Sequence, residues 1–161
     1  MKLMFEPASM KCNFIRPDEV GAGTFVLNGD GLSVVVTAGQ PPQKRLLHLT
    51  DREGDVKAAL LDFRTQIDGI AIKPEGFRIL LNHPLERIDD LAAVRDPPPG
   101  ALFIDESGPG ILCGLRHYKV LVNLITWHAA DFAVHDTMHG VGKWSLTADG
   151  VAQDRQELFR L

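Results

Sequence analysis

Cysteine is nearly absent. The 161 residues hold two, Cys12 and Cys113, with no C-x-x-C pair. Thiol redox chemistry and cysteine-based zinc sites therefore have no footing, and two free thiols in a reducing cytoplasm are expected. Long apolar runs are missing as well. The longest stretch without Asp, Glu, Lys or Arg covers residues 31–43, 13 residues that include Pro41 and Pro42. A membrane-spanning helix needs about 20 apolar residues, so no membrane span is expected. The opening MKLMFEP lacks the apolar region of a secretory signal, which again points to the cytoplasm. There is no basic excess: Lys and Arg total 17 against 21 Asp and Glu, a net charge of −4. Nucleic-acid binding leaves the opposite footprint. Aromatic residues are few and scattered, with one Tyr, two Trp and eight Phe, so no stacking platform for single strands is built.

Phosphate-binding and nucleophile motifs are absent too. Gly21-Ala22-Gly23 has Val26 where a dinucleotide loop needs its third glycine, and Gly142-Lys143 precedes Trp144 where a P-loop needs Ser or Thr. No G-x-S-x-G elbow surrounds any serine. The acidic tip Asp51-Arg52-Glu53-Gly54-Asp55 has Val56 and Asp62 where a calcium loop needs Gly and Glu, so it reads as a hairpin tip.

What is present is an ordinary globular balance, 45% hydrophobic and 24% charged. One domain over residues 1–161 is expected, able to bury about 68–70% of its unfolded surface without a disulfide or metal. The 15 glycines and 10 prolines act mainly as hairpin punctuation. Five hairpins follow from runs of β-type residues around polar glycine turns. They are TFVLN–GDG–LSVVVT, RLLHLT–DREGD–VKAALLDF, GIAI–KPEG–FRILL, ALFID–ESGPG–ILCGL and KWSLT–ADG–VAQ. HYKVLVNLITW is the longest strand candidate, and its partly apolar second face predicts a central strand covered on both sides.

Two segments break the β pattern. LERIDDLAAV has Leu85, Ile88, Leu91 and Ala92 at helical spacing after Pro84, which predicts a short helix before the rigid Pro97-Pro98-Pro99 crossover. WHAADFAVHDTMHG places Trp127, Ala130, Val134 and Met138 on one helical stripe, with Gly140 at the stop. A period-2 reading of Ala130, Phe132 and Val134 competes with it, but the helix accounts for more residues. The fold expected is mainly β, a barrel or sandwich of serial hairpins with one or two short helices. A β-trefoil-like or α+β arrangement is the alternative. Turn glycines 31, 76, 110 and 150 recur at intervals looser than those of regular repeat folds. The cadence GTFVLNGDGLSVVV resembles the opening of pleckstrin-homology-like domains. That resemblance implies a closing C-terminal helix, for which VAQDRQELFRL is the candidate, and it carries over no ligand residues.

Histidine is where chemistry concentrates. Four of the six histidines lie between residues 117 and 139. On the helical reading His128, Asp131, His135 and His139 fall within about 80° of one face. His135 and His139 then have the i, i+4 spacing by which two imidazoles share a zinc ion, with Asp131 or His128 completing the shell. On a strand the same pair would stand about 13 Å apart and could not share a metal. No cofactor is needed for folding, and a divalent metal such as zinc is the one this face would accept. Two functions follow. The first is a non-catalytic module for a small-molecule or protein ligand, with edge strands open to homo-oligomer formation. The second is a zinc-type hydrolase whose metal activates a water.

Overall fold

The computed structural model describes residues 13–74, 76–81, 86–87, 97–135, 137–141, 143–149 and 155–160. Within them the chain is β throughout, apart from one 3-10 turn at Pro17–Glu19. The first strands are β1 (Asn13–Ile15), β2 (Phe25–Asn28), β3 (Gly31–Ala38), β4 (Gln43–Asp51), β5 (Val56–Asp62), β6 (Ile67–Ile72), β7 (Phe77–Leu81) and β8 (Glu86–Arg87). Then come β9 (Leu102–Asp105), β10 (Gly108–Leu115), β11 (Tyr118–Asn123), β12 (His128–Asp131), β13 (His139–Val141), β14 (Trp144–Asp149) and β15 (Arg155–Arg160).

Two antiparallel meanders, β3-β4-β5 and β10-β11-β12, close into a six-stranded barrel. They join through two parallel contacts, β5 with β10 and β12 with β3. Alternation along each strand fills the interior. Leu32, Val34 and Val36 of β3 point inward with Leu47, Leu60, Ile111, Cys113, Val120 and Val122, while Val35 faces out onto a satellite cluster with Val26 and Leu46. Both faces of β3 are thus covered, which is why GLSVVVTA is a nearly unbroken apolar run of β-branched residues. Cys113 is a free, buried thiol whose pKa burial drives upward. Cys12 lies outside the described residues.

The two halves of the chain repeat one another about an internal two-fold axis. Gly23, Gly31 and β2-β3 correspond to Gly100, Gly108 and β9-β10 at a constant spacing of 77 residues (108 − 31). The backbone bonds match one for one. Gly23 N–H donates to Val35 O and Val35 N–H to Thr24 O, as Gly100 N–H donates to Leu112 O and Leu112 N–H to Ala101 O. After the β4-β5 hairpin, which is longer than its β11-β12 counterpart, Ala58 corresponds to Trp127. Both are non-glycine residues at positive φ, 42° and 56°. β6 then pairs with β2 as β13 pairs with β9. β7 and β14 pair antiparallel with Arg78 opposite Thr147, which are themselves equivalent positions, so the axis passes between them. This β7-β14 ribbon caps one end of the barrel. There Phe25, Phe77 and Trp127 meet in ring contacts of 5.4–5.8 Å and Trp144 is fully buried.

The barrel expectation holds, and several finer expectations do not. The repeat is two-fold, which sets the β-trefoil-like alternative aside, and the partner of Gly31 is Gly108, two residues before the glycine its cadence pointed to. No α-helix occurs among the described residues. The 127–139 helix is replaced by β12, a connecting segment and β13. Trp127 at φ 56° cannot start a right-handed helix, and β11 and β3 satisfy the backbone of residues 128–131 instead. Arg155–Arg160 is a strand on β14, not a closing helix. GIAI and FRILL do not form a hairpin: β6 joins β1 and β2, and β7 crosses to β14. Turn chemistry such as KPEG serves a step between sheets as well as a reversal within one. Of LERIDDLAAV only Glu86–Arg87 is described, as strand paired to β13, and the rest lies outside the described residues.

Candidate functional site

In each repeat the chain leaving the barrel crosses its outer face before pairing with β2 or β9. Residues 63–66 make this strap in the first repeat, with Phe63 packed on Val26, Val35 and Leu46. In the second, Phe132 packs on Phe103 with ring centroids 4.9 Å apart, and Met138 is buried beside Leu112. The strap bridges the outer face without filling it. A cleft of about 350 Å³ remains between strap and β9-β10 hairpin, with Leu121 and Met138 among its apolar lining.

Three of the four residues expected to act together line this cleft: His128, Asp131 and His135. They arrive from a strand and a strap, not from one helix face. The fourth, His139, sits on β13 between β8 and β9 and is not part of the lining. Its buried Nδ1 finds no hydrogen-bond partner among the described residues. The i, i+4 pair of His135 and His139 is therefore not formed. Among the described residues no three His, Cys, Asp or Glu side chains are grouped to hold a metal.

The pivot of the cleft is Asp105, at the end of β9. Its Oδ1 accepts from the Ser107 N–H at 2.7 Å and the Ser107 Oγ–H at 2.5 Å, and its Oδ2 meets His135 Nε2 at 3.0 Å. The side chain is only 10% exposed. Burial alone would raise its pKa, but the Ser107 hydrogen bonds, and then His135, outweigh that and hold it below the usual carboxylate value. His135 Nδ1 meets Thr137 Oγ1 at 3.0 Å, which fixes the ring from its other side. His128 Nδ1 lies 2.9 Å from Thr37 Oγ1 on the neighbouring strand, so its orientation too is set by the barrel. Asn123 spends its amide on the frame, donating to Ser107 O and accepting from Ile125 N–H and Thr126 N–H.

The two-fold axis supplies an internal control. The equivalent cleft of the first repeat is lined by Asn28, Asp30, Ser33, His48, Asp62 and Gln66 among others, and measures about 1010 Å³. Asn28 and Gln66 stand where Asp105 and His135 stand, and no hydrogen bond joins them. His135–Asp105 is thus a latch between strap and hairpin tip that only the second repeat possesses. His135→Gln, which copies position 66, is expected to loosen the strap. A hydrogen bond whose imidazole is 43% exposed is worth about 0.5–1 kcal/mol, so amide exchange of residues 132–135 and 137–138 should quicken roughly two- to fivefold. Hydrogen-exchange mass spectrometry checks this, and unchanged exchange would remove the latch from the description.

Acid should act the same way. Because the folded pKa of Asp105 lies below its unfolded value, its stabilisation is complete above the unfolded value and fades as pH falls through the folded one. Strap protection is expected to hold at neutral pH and to fall below about pH 4. Asp105→Asn should remove that acid-dependent step when exchange is followed against pH.

Sequence reasoning overlooked Asp105 and Ser107, reading them as a polar turn, because their partner His135 is 30 residues away. The available signal was the match between Asn28-Gly29-Asp30-Gly31 and Asp105-Glu106-Ser107-Gly108. In both, the first side chain accepts from the backbone N–H two residues on. Comparison with protein-family models, curated proteins and solved structures gave no match.

Proposed function

We propose that this protein is a non-catalytic binding module that takes a small polar ligand in the latched cleft of its second repeat. One observation carries the reading: Asp105, Ser107, Asn123, His128 and His135 are bonded to the frame of the cleft, not paired for chemistry. The carboxylate of Asp105 sits between Ser107 and His135, so no imidazole is placed to take the proton of Ser107. The hydroxyl that does meet His135 belongs to Thr137, which does not line the cleft. A hydroxyl–imidazole–carboxylate chain acts as a nucleophilic relay only when its hydroxyl faces the substrate. Fixed polar groups over an apolar floor, in a concavity of this size, are what a ligand site needs.

The test is a ligand-observed NMR screen of a polar fragment collection, with amide shifts mapped on the uniformly labelled protein. The same sample is assayed for hydrolysis of p-nitrophenyl acetate and p-nitrophenyl phosphate. Hits that shift Ser107, Thr126 and His128, without turnover, support the module. Turnover that disappears in His135→Ala would overturn it in favour of a hydrolase. Absence of any hit at the cleft would overturn it outright.

A further inference from the structure

The barrel end opposite the β7-β14 ribbon is open, and it lies on the two-fold axis. Its cavity, about 310 Å³, is lined by equivalent residues from both repeats: Gln43 with Tyr118, Arg45 with Val120, Leu60 with Ala129. At the rim of the barrel Asp62 lies two residues beyond the core residue Leu60 and lines the outer cleft of the first repeat. Asp131 lies two beyond Ala129 and lines the mouth as well as the latched cleft. These two aspartates are equivalent, yet their surroundings differ at one position. Asp62 is the register partner of Arg45 and forms an ion pair with it. Asp131 is the register partner of Val120, which stands in the place of the arginine. The second repeat thus keeps the carboxylate and lacks the cation. Asp131 makes no ion pair among the described residues, whereas Arg45 is already neutralised.

We propose that the open end of the barrel binds a small organic cation, a guanidinium or ammonium group on an apolar stem, that supplies Asp131 with the partner Arg45 supplies to Asp62. The head group meets the carboxylate, and a guanidinium can do so through two parallel hydrogen bonds. The stem lies over Val120 and Leu115, apolar where the first repeat carries the arginine's own methylenes. Tyr118, 54% exposed in the same lining, offers its ring face to the cation. Gln43 and Gln40 complete a polar rim able to bond a second polar group of the ligand. The mouth adjoins the latched cleft: Ala130 and Asp131 line both, whereas Tyr118 and Ala129 line the mouth alone and Ser107 and His128 the cleft alone.

The test is calorimetric titration of the full chain with n-butylguanidinium, n-butylammonium and neutral n-butylurea, with amide shifts mapped in parallel. Saturable one-site binding of the cations is expected, with shifts at Gln43, Leu115 and Tyr118, and none for the urea. Asp131→Asn, an exposed and isosteric change, should weaken binding about tenfold or more, the worth of a hydrogen bond to a charged partner. Val120→Arg should rebuild the ion pair of the first repeat and abolish binding. If that variant does not fold, Asp131→Asn decides alone. Three results overturn the proposal: no saturable binding to the wild type, equal affinity in Asp131→Asn, or shifts at Ser107, Thr126 and His128 in place of the mouth.

Discussion

Replacing Trp144 with alanine is expected to cost about 3–5 kcal/mol of stability from lost burial and the cavity left behind. The side chain is fully buried, and it sits on the ribbon strand that ties the two repeats together. Its Nε1–H donates to Gly100 O at 2.7 Å, so the truncation also orphans a backbone carbonyl, worth about 1 kcal/mol or more. Against a total of about 5–15 kcal/mol for a folded protein, this is a large share. For a chain of this length roughly 2–4 °C is lost per kcal/mol, so the unfolding midpoint should fall by about 10 °C or more. Trp144→Phe keeps most of the apolar volume and loses the N–H, and should cost about 1–3 kcal/mol. Thermal and urea unfolding of both variants measure the difference. Equal losses would mean that the hydrogen bond, not ring burial, holds the ribbon in place.

The hairpins were legible because turn chemistry is local. Asn28-Gly29-Asp30-Gly31 and Asp105-Glu106-Ser107-Gly108 announce reversals through residues that bond their own backbone. The barrel itself follows from alternation in LSVVVT and KVLVN. The 127–139 segment was misread because its apolar residues share a helical spacing by coincidence. Trp127 and Met138 are buried in different clusters and Ala130 lines a cleft, so each answers to a different environment. The same misreading brought His128, Asp131 and His135 together on a helix face that is not formed, yet the three residues do share one cleft. Their partner Asp105 was hidden by chain distance, since only the strap crossing brings residue 135 onto the β9 hairpin.

The two-fold repeat was hidden for a further reason. Few positions keep the same residue in both halves, and apart from Asp62 and Asp131 those that do serve geometry. Lys44 and Lys119 each donate to the carbonyl at one shared place before the first hairpin, Val20 O and Pro97 O. Phe63 and Phe132 pin the two straps. Leu46 and Leu121 floor the two clefts. Core positions have mostly changed within the apolar class, as Val34, Val35 and Val36 against Ile111, Leu112 and Cys113. Backbone constraint outlasts side-chain identity, and a search for repeated residues misses what a search for repeated turns finds.

The glycines at the hairpin bases put that constraint to a quantitative test. Gly31 and Gly108 are equivalent, with φ of 124° and 107°, a region that L residues rarely adopt. Their surroundings differ. A Cβ on Gly31 would lie 2.0 Å from Thr50 O and 2.6 Å from the Asp51 carbonyl carbon, both backbone atoms of the paired strand β4. That strand is held on its other side by β5 and cannot yield without breaking barrel bonds. A Cβ on Gly108 would lie 2.7 Å from Ile125 Cδ1, the free end of a side chain that is 66% exposed and able to swing away. Gly31→Ala therefore combines backbone strain with a collision against a fixed wall, and is expected to cost about 3–4 kcal/mol. Gly108→Ala carries the strain alone and should cost about 1–2 kcal/mol. Urea unfolding of the two variants gives the comparison directly. A Gly108→Ala loss equal to or greater than that of Gly31→Ala would show that the β3-β4 contact is not the fixed wall described. With the expected order, the first repeat is the more rigid template, and its mate has spare room at the hairpin base next to the latched cleft.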